Sequence, residues 1–297
     1  MSFQTEICDV KIIMEKPTFR LTFSCPDQPG IVAKVSGFLF DQGANILSAR
    51  QHRDSARNQF FMRVVFGFDA VEPGTFRSGL DSLGRALNLD WNLTDRRVKK
   101  RVLLMVSKFD HCLGDLLYRL RIGELDMDVV GIVSNHPKSA LNLKNFGDIP
   151  YHHLPITKAT KPQQEAQIRE VIEATDTELV VLARYMQILS NDFASYLSGR
   201  CVNIHHSFLP GFKGAKPYHQ AYRRGVKMIG ATAHFVTADL DEGPIIVQDV
   251  EQISHVDRPK DLIRKGRSIE QRVLSRAVTY LLEDRVLLNG NRTVVFD

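Results

Sequence analysis

Little in this sequence supports a disulfide framework, a zinc ribbon or a membrane anchor. Its 297 residues hold four cysteines, Cys8, Cys25, Cys112 and Cys201, and no two are spaced as Cys-x-x-Cys. Scattered single cysteines neither staple a small fold nor chelate zinc, so they are expected as small buried hydrophobes. No uninterrupted apolar run is long enough to cross a bilayer. The opening MSFQTEICDVKIIMEKP lacks an apolar stretch behind a basic start, which leads us to expect a cytoplasmic protein with no membrane partner. There is no low-complexity tract, and with 43% hydrophobic and 25% charged residues the chain reads as folded rather than disordered. Nor does one sign of charge dominate. Lys and Arg number 39 against 34 Asp and Glu, and the basic residues are dispersed apart from Arg96-Arg97-Val98-Lys99-Lys100-Arg101. We read that run as a solvated linker before a strand and expect no nucleic-acid partner; the net charge of +5 suits attraction of an anionic substrate. His152-His153 and His205-His206 are adjacent pairs whose members would point apart in a strand, so no metal site is expected.

What is present divides in two, and the fold class expected is α/β. Residues 18–95 read as βαββαβ, a small α+β domain. Phe19 to Phe23 alternate as a strand and run into Pro26-Asp27-Gln28-Pro29-Gly30, after which Ile31, Val32, Val35, Phe38 and Leu39 share one helical face. Ile46 to Gln51 and Gln59 to Phe66 read as a hairpin, and Phe76, Leu80, Leu83 and Leu87 form the apolar stripe of a second helix. From residue 100 to 297 short apolar runs, Val102 to Val106, Val129 to Val133 and Leu179 to Ala183, alternate with helical stretches. Such runs are strands buried on both faces, so a doubly wound, mostly parallel sheet is expected, with its ligand crevice at the carboxyl ends of the strands. A long helix, Pro259 to Glu283, and a terminal hairpin, Val286 to Val295, complete the expectation.

The chemistry concentrates in Cys201-Val202-Asn203-Ile204-His205-His206-Ser207-Phe208-Leu209-Pro210-Gly211 and its continuation through residues 212–215. In a strand ending near His205, Asn203 and His205 point to one side. Asp241 follows in Asp239-Leu240-Asp241-Glu242-Gly243-Pro244, after the strand Thr232 to Val236. Together they supply an amide donor, a second polarising group and a carboxylate. On residue types and spacing alone, a satisfied structural histidine and a plain turn explain the same residues better.

Asn-Ile-His with Ser-x-Leu-Pro, followed by His-Phe-Val-x-x-x-Leu-Asp-x-Gly-Pro, resembles the folate-dependent formyltransferases over roughly residues 100 to 290. The resemblance implies that Asn203, His205 and Asp241 are catalytic. It implies a folate pocket formed by Met186, Gln187, Ile188 and Leu189 with Thr237, Asp239 and Leu240, 10-formyltetrahydrofolate as substrate, and no further cofactor. Gln187 departs from the arginine usual there in the nucleotide-acceptor enzymes. Those enzymes need a small Gly/Ser-rich loop for the acceptor's phosphate, whereas this chain has Ser107-Lys108-Phe109-Asp110-His111-Cys112-Leu113, bulky and acidic. A transfer-RNA acceptor would call for a further C-terminal domain, which the sequence does not show. Water is therefore the expected acceptor. Formyl transfer to an unphosphorylated amine is the alternative, and a folate-binding protein without catalysis is the remaining one.

Cys25-Pro26-Asp27-Gln28-Pro29-Gly30-Ile31-Val32 resembles the opening of ACT regulatory domains. An ACT domain ahead of a formyltransferase-like domain is the arrangement of the formyltetrahydrofolate deformylase family, whose reaction releases formate and tetrahydrofolate in one-carbon and purine metabolism. The resemblance further implies a homo-oligomer and an amino-acid effector bound at its seam near Asp27, Gly30 and Asn45; a domain that only assembles subunits is the equal alternative.

Overall fold

The computed structural model describes residues 17–68, 73–211 and 217–297. Cys8 and the 212–215 part of the motif lie outside them. The chain divides into two compact units, Met1–Val98 and Lys99–Asp297.

In the first unit, Pro29 precedes Gly30, whose φ of 85° lets the chain turn into the helix α1 (Ile31–Asp41). The strands β1 (Thr18–Pro26), β2 (Ala44–Asp54), β3 (Gln59–Phe68) and β4 (Asp90–Asp95) form an antiparallel sheet in the order β2-β3-β1-β4, with α2 (Pro73–Leu87) between β3 and β4. Alternation decides the core. Leu21, Phe23 and Cys25 on β1 and Phe60, Met62, Val64, Phe66 and Phe68 on β3 meet Ile31, Val35, Leu39, Phe76, Leu80 and Leu87 from the helices. Val32, expected on the buried face of α1, is 38% exposed, because it lies beside rather than on the stripe through Ile31, Val35 and Leu39.

The second unit holds β5 (Lys100–Val106), β6 (Met127–Ser134), β7 (Tyr151–His153), β8 (Leu179–Leu182), β9 (Cys201–His205), β10 (Met228–Phe235) and β11 (Ile245–Gln252), ordered β11-β10-β9-β8-β5-β6-β7. From β9 to β7 every pairing is parallel, while β10 runs antiparallel to both neighbours. Along β5, Val102, Leu104 and Val106 enter one core with α3 (His111–Arg121), α6 (Pro217–Arg224) and α7 (Pro259–Leu282), and Leu103 and Met105 enter another with α4 (Lys161–Ala174) and α5 (Asn191–Tyr196). That two-faced burial makes the strands continuous apolar runs and bears out the doubly wound α/β class. The chain leaves β5 for β6 on one side and returns to β8 on the other, so the loops after β5 and β8 flank a switch point. A short hairpin, β12 (Val286–Asn289) with β13 (Arg292–Val295), follows α7.

Candidate active site

β9 ends at His205, which puts Asn203 and His205 on one side of the strand. β10 lies beside it with His234 opposite Asn203 and Thr232 opposite His205. The chain then turns back through residues 236–244 to begin β11. Within that turn Asp241 takes a φ of 58°, a left-handed conformation that aspartate tolerates better than most residues. The result brings the three expected residues together. Asp241 Oδ1 lies 3.2 Å from His205 Nδ1 and 3.7 Å from His234 Nε2, and Asn203 Nδ2 lies 3.3 Å from His234 Nε2.

His234 was given no part by sequence reasoning, although it opens the His-Phe-Val stretch. Its Nδ1 is 2.8 Å from the Phe235 carbonyl, which can only accept, so that nitrogen carries the proton. Burial lowers the basicity of the ring, opposed by the Phe235 carbonyl and Asp241, and the net direction is down. A neutral ring leaves Nε2 to accept from the Asn203 amide. This fixes the amide's orientation and leaves its second N–H without a protein partner among the described residues.

His205 is buried, and its Nε2 has no hydrogen-bond partner among the described residues. A buried orphan nitrogen on a cavity wall is a place for a ligand atom. Burial pushes the Asp241 carboxyl up, but the contact with His205 and the charges of His205, His234 and His206 outweigh it, and the carboxyl sits below its usual 3.8. Burial, Arg184 and His205 push the His206 imidazole down to about 4, so it is neutral at ordinary pH. The His205 and His206 rings are 5.0 Å apart and both face the cavity, correcting the expectation that the pair points apart. Strand alternation stops at His205, and His206 already belongs to the bend that follows.

A cavity of about 620 Å³ receives all of these groups. One end is walled by Met186, Gln187, Ile188 and Leu189, from the loop after β8, and by Thr237, Asp239 and Leu240 from the loop before Asp241. Met186, Ile188 and Leu240 are 50%, 62% and 55% exposed, an apolar rim that a flat aromatic ligand would cover. Met186 N–H donates to Ser107 Oγ at 2.9 Å, which ties this loop to the end of β5.

The other end is polar. Glu270 on α7 is 1% exposed, and it accepts from the Tyr218 hydroxyl at 2.6 Å, meets His111 Nε2 at 2.8 Å and lies 3.3 Å from Arg184 Nε. That last pair is at ion-pair distance without hydrogen-bond geometry, and Arg184 Nε has no other partner among the described residues. Gly266 makes room for Tyr218, since a Cβ there would stand 2.1 Å from the ring. Arg184 itself has a φ of 68°, which costs a residue other than glycine about 1–2 kcal/mol. Asp110, expected to present acid to this end, does not line the cavity; its carboxylate accepts from Leu143 N–H at 2.7 Å and from Asn142 at 3.2 Å. Phe109 and His111 supply the bulk instead.

Burial pushes the Glu270 carboxyl up, yet His111, the Arg184 charge and Tyr218 hold it below its usual 4.5. A depressed folded value means stability that is present above 4.5 and lost as pH falls through the folded value. Glu270→Gln should therefore flatten the decline of unfolding free energy below pH 4.5, measured by urea titration across acid pH, and an unchanged slope would contradict the pairing. His111, Cys112 and Glu270 also bring possible metal ligands within 4.8 Å of one another. Burial and Glu270 push the Cys112 thiol well up, and both Glu270 oxygens are engaged, so this donor set fits a buried hydrogen-bonded cluster.

The residues expected at an effector site lie in the first unit. Asp27 pairs with Arg53, and Gly30 caps α1 nearby. Asn45 is exposed beside Gly67, while Asp54 faces Gln59 at the other end of the sheet, next to Pro26. Eight strand positions separate the two ends, roughly 27 Å at about 3.4 Å per residue. Within one chain Asn45 therefore does not join Asp27 and Gly30.

Residues 100–278 match the formyl transferase family model, and residues 19–74 match the ACT domain. The formyltetrahydrofolate deformylase of Corynebacterium sp. (strain P-1) is 50% identical over 277 residues, 93% of this chain and 96% of that protein. That of Bacillus subtilis is 45% identical over 281 residues, 94% and 93% of the two chains. The crystal structure of formyltetrahydrofolate deformylase from Burkholderia mallei superposes with a TM-score of 0.91 at 50% identity, covering 95% of this chain and all of the other. Glycinamide ribonucleotide transformylase 1 from Symbiobacterium toebii gives 0.60 at 29% identity over 69% of this chain and 98% of its own. The likeness to the nucleotide enzyme covers part of the chain, whereas the likeness to the deformylases runs through both units, and the chain belongs to the formyltetrahydrofolate deformylase family.

Proposed function

We propose that this protein hydrolyses 10-formyltetrahydrofolate to formate and tetrahydrofolate, with Asn203, His205 and Asp241 surrounding the formyl carbon. The observation that carries the reading is the junction of Asp241, His205 and the His234-anchored Asn203 within 3.7 Å contacts on the wall of one cavity. The apolar rim of Met186, Ile188 and Leu240 receives the pterin ring, with Gln187, Leu189, Thr237 and Asp239 around it. Asp241 holds a water against the formyl carbon. The water oxygen forms the new C–O bond, and negative charge gathers on the formyl oxygen. The free Asn203 N–H and His205 stabilise that charge where it appears. A carboxylate held below its usual value is a weak base, so it takes the water's proton as the C–O bond forms, when that proton has become acidic. The C–N10 bond then breaks, its electron pair returns to N10, and the proton follows.

We also propose that no metal or further cofactor takes part, that the enzyme works in the cytoplasm, and that formate and tetrahydrofolate serve one-carbon and purine metabolism. Among the described residues no helix is long and apolar enough to cross a membrane. Exposure of nearly all of β2 supports edge-to-edge pairing of first units in a homo-oligomer. Such pairing could bring Asn45 of a second copy towards Asp27 and Gly30 as an amino-acid effector site. The test of the reaction needs purified protein and 10-formyltetrahydrofolate alone. Formate and tetrahydrofolate released in equal amounts are expected; dependence on an added amine would favour transfer, and no reaction would leave a binding protein.

A further inference from the structure

We infer that Arg184, locked by Glu270, His111 and Tyr218, fills the acceptor end of the cavity and thereby leaves water as the nucleophile that reaches the formyl carbon. The inference rests on the hydrolytic reading above. The network begins one ring away from the reacting groups. His205 and His206 have ring centroids 5.0 Å apart, His206 and Tyr218 6.4 Å, and Tyr218 donates to Glu270, which lies beside Arg184 and His111. All of these side chains line the cavity that holds Asn203 and Asp241.

Arg184 is built to occupy space. It stands where the backbone, at φ 68°, would suit glycine, so the strain is carried for the sake of the side chain. That side chain is 9% exposed, and its Nε has no hydrogen bond among the described residues. Its position is therefore set by packing and by the field of Glu270 rather than by a forked hydrogen bond. Glu270 in turn has each oxygen engaged, one by Tyr218 and one by His111. Burial and Glu270 push the Tyr218 phenol up, so it remains a donor to Glu270 across ordinary pH. With both of its oxygens engaged, Glu270 offers an amine no free acceptor, and on this inference the guanidinium of Arg184 takes the space an amine would need. A water molecule requires neither.

Removing the side chain should admit an amine. Its nitrogen lone pair forms a C–N bond to the formyl carbon and the amine gives up one proton. The C–N10 bond breaks with its electron pair going to N10, which takes up a proton, and the products are the N-formyl amine and tetrahydrofolate. Arg184→Gly is the variant, glycinamide the probe amine, and the readout the ratio of N-formylglycinamide to formate. The wild-type protein is assayed first without amine, since failure to release formate there would remove the hydrolytic reading rather than this one. In Arg184→Gly the share of formyl groups recovered on the amine is expected to rise on the order of tenfold or more over wild type. A folded variant that keeps the wild-type share, or that loses both reactions, overturns the inference. Should Arg184→Gly not fold, Arg184→Ala combined with Glu270→Gln removes both buried charges and carries the same readout.

Discussion

Replacing Asp241 by asparagine is expected to lower kcat/KM for formate release by on the order of 10²–10⁴ while the protein folds normally. Asparagine keeps the shape of the side chain and tolerates the φ of 58° as aspartate does, so the backbone of the loop need not change. What is lost is the negative charge 3.2 Å from His205 Nδ1 and with it the acceptor for the attacking water's proton. The pH dependence follows the same logic. Because the carboxyl is held below 3.8, Asp241 is charged at every pH above that value, and any loss of rate between pH 5 and 8 must arise from another group. A steady-state assay with a circular-dichroism melt on the same preparation checks both halves. Near-full hydrolysis in Asp241→Asn would contradict the part given to this residue.

Gly243→Ala is expected to damage stability and activity together. A Cβ at this position would stand 1.8 Å from the Phe235 carbonyl oxygen and 3.3 Å from His234 Nδ1. That carbonyl accepts the His234 proton, and the Phe235 N–H donates to Pro244 O at 2.9 Å, so the methyl group has no room unless the loop bearing Asp241 moves off β10. Forced overpacking of this kind costs about 1–3 kcal/mol. Displacement of Asp241 by about 1 Å lowers the rate on the order of 10²-fold. Gly114→Ala in α3, where nothing lies within 4 Å of the new Cβ, is the control that keeps activity. Urea midpoints and kcat for the two variants separate crowding at the site from a general effect of replacing glycine.

The fold was legible where burial dictates the sequence pattern. Val102 to Val106 and Leu179 to Leu182 are apolar at every position because both faces are covered, and Phe76, Leu80 and Leu87 repeat at helical spacing because one face is. β11 escaped notice because only its first half is apolar; Gln248, Asp249, Glu251 and Gln252 make it read as a loop until β10 is seen to pair with it. The reacting residues were legible through long motifs, since Asn203, His205 and Asp241 each sit in a distinctive stretch. His234 lay inside one of those stretches, but its work depends on standing across from Asn203 in an antiparallel pair, a relation that no spacing records. Arg184, Glu270, His111 and Tyr218 come from four distant elements and meet only because β8, α3, α6 and α7 converge on one cavity. Asp110 shows the opposite failure. Its charge was read as facing the ligand, whereas hydrogen bonds accepted from Asn142 and Leu143 turn it into a loop fastener.

The most direct measurement is hydrolysis of 10-formyltetrahydrofolate in ¹⁸O-enriched water, with the formate analysed by mass spectrometry. If Asp241 guides solvent onto a formyl carbon held by Asn203 and His205, each formate carries one heavy oxygen and the labelled product disappears with Asp241→Asn. Formate released without label, or labelled at an undiminished rate by the Asp241 variant, would contradict that mechanism.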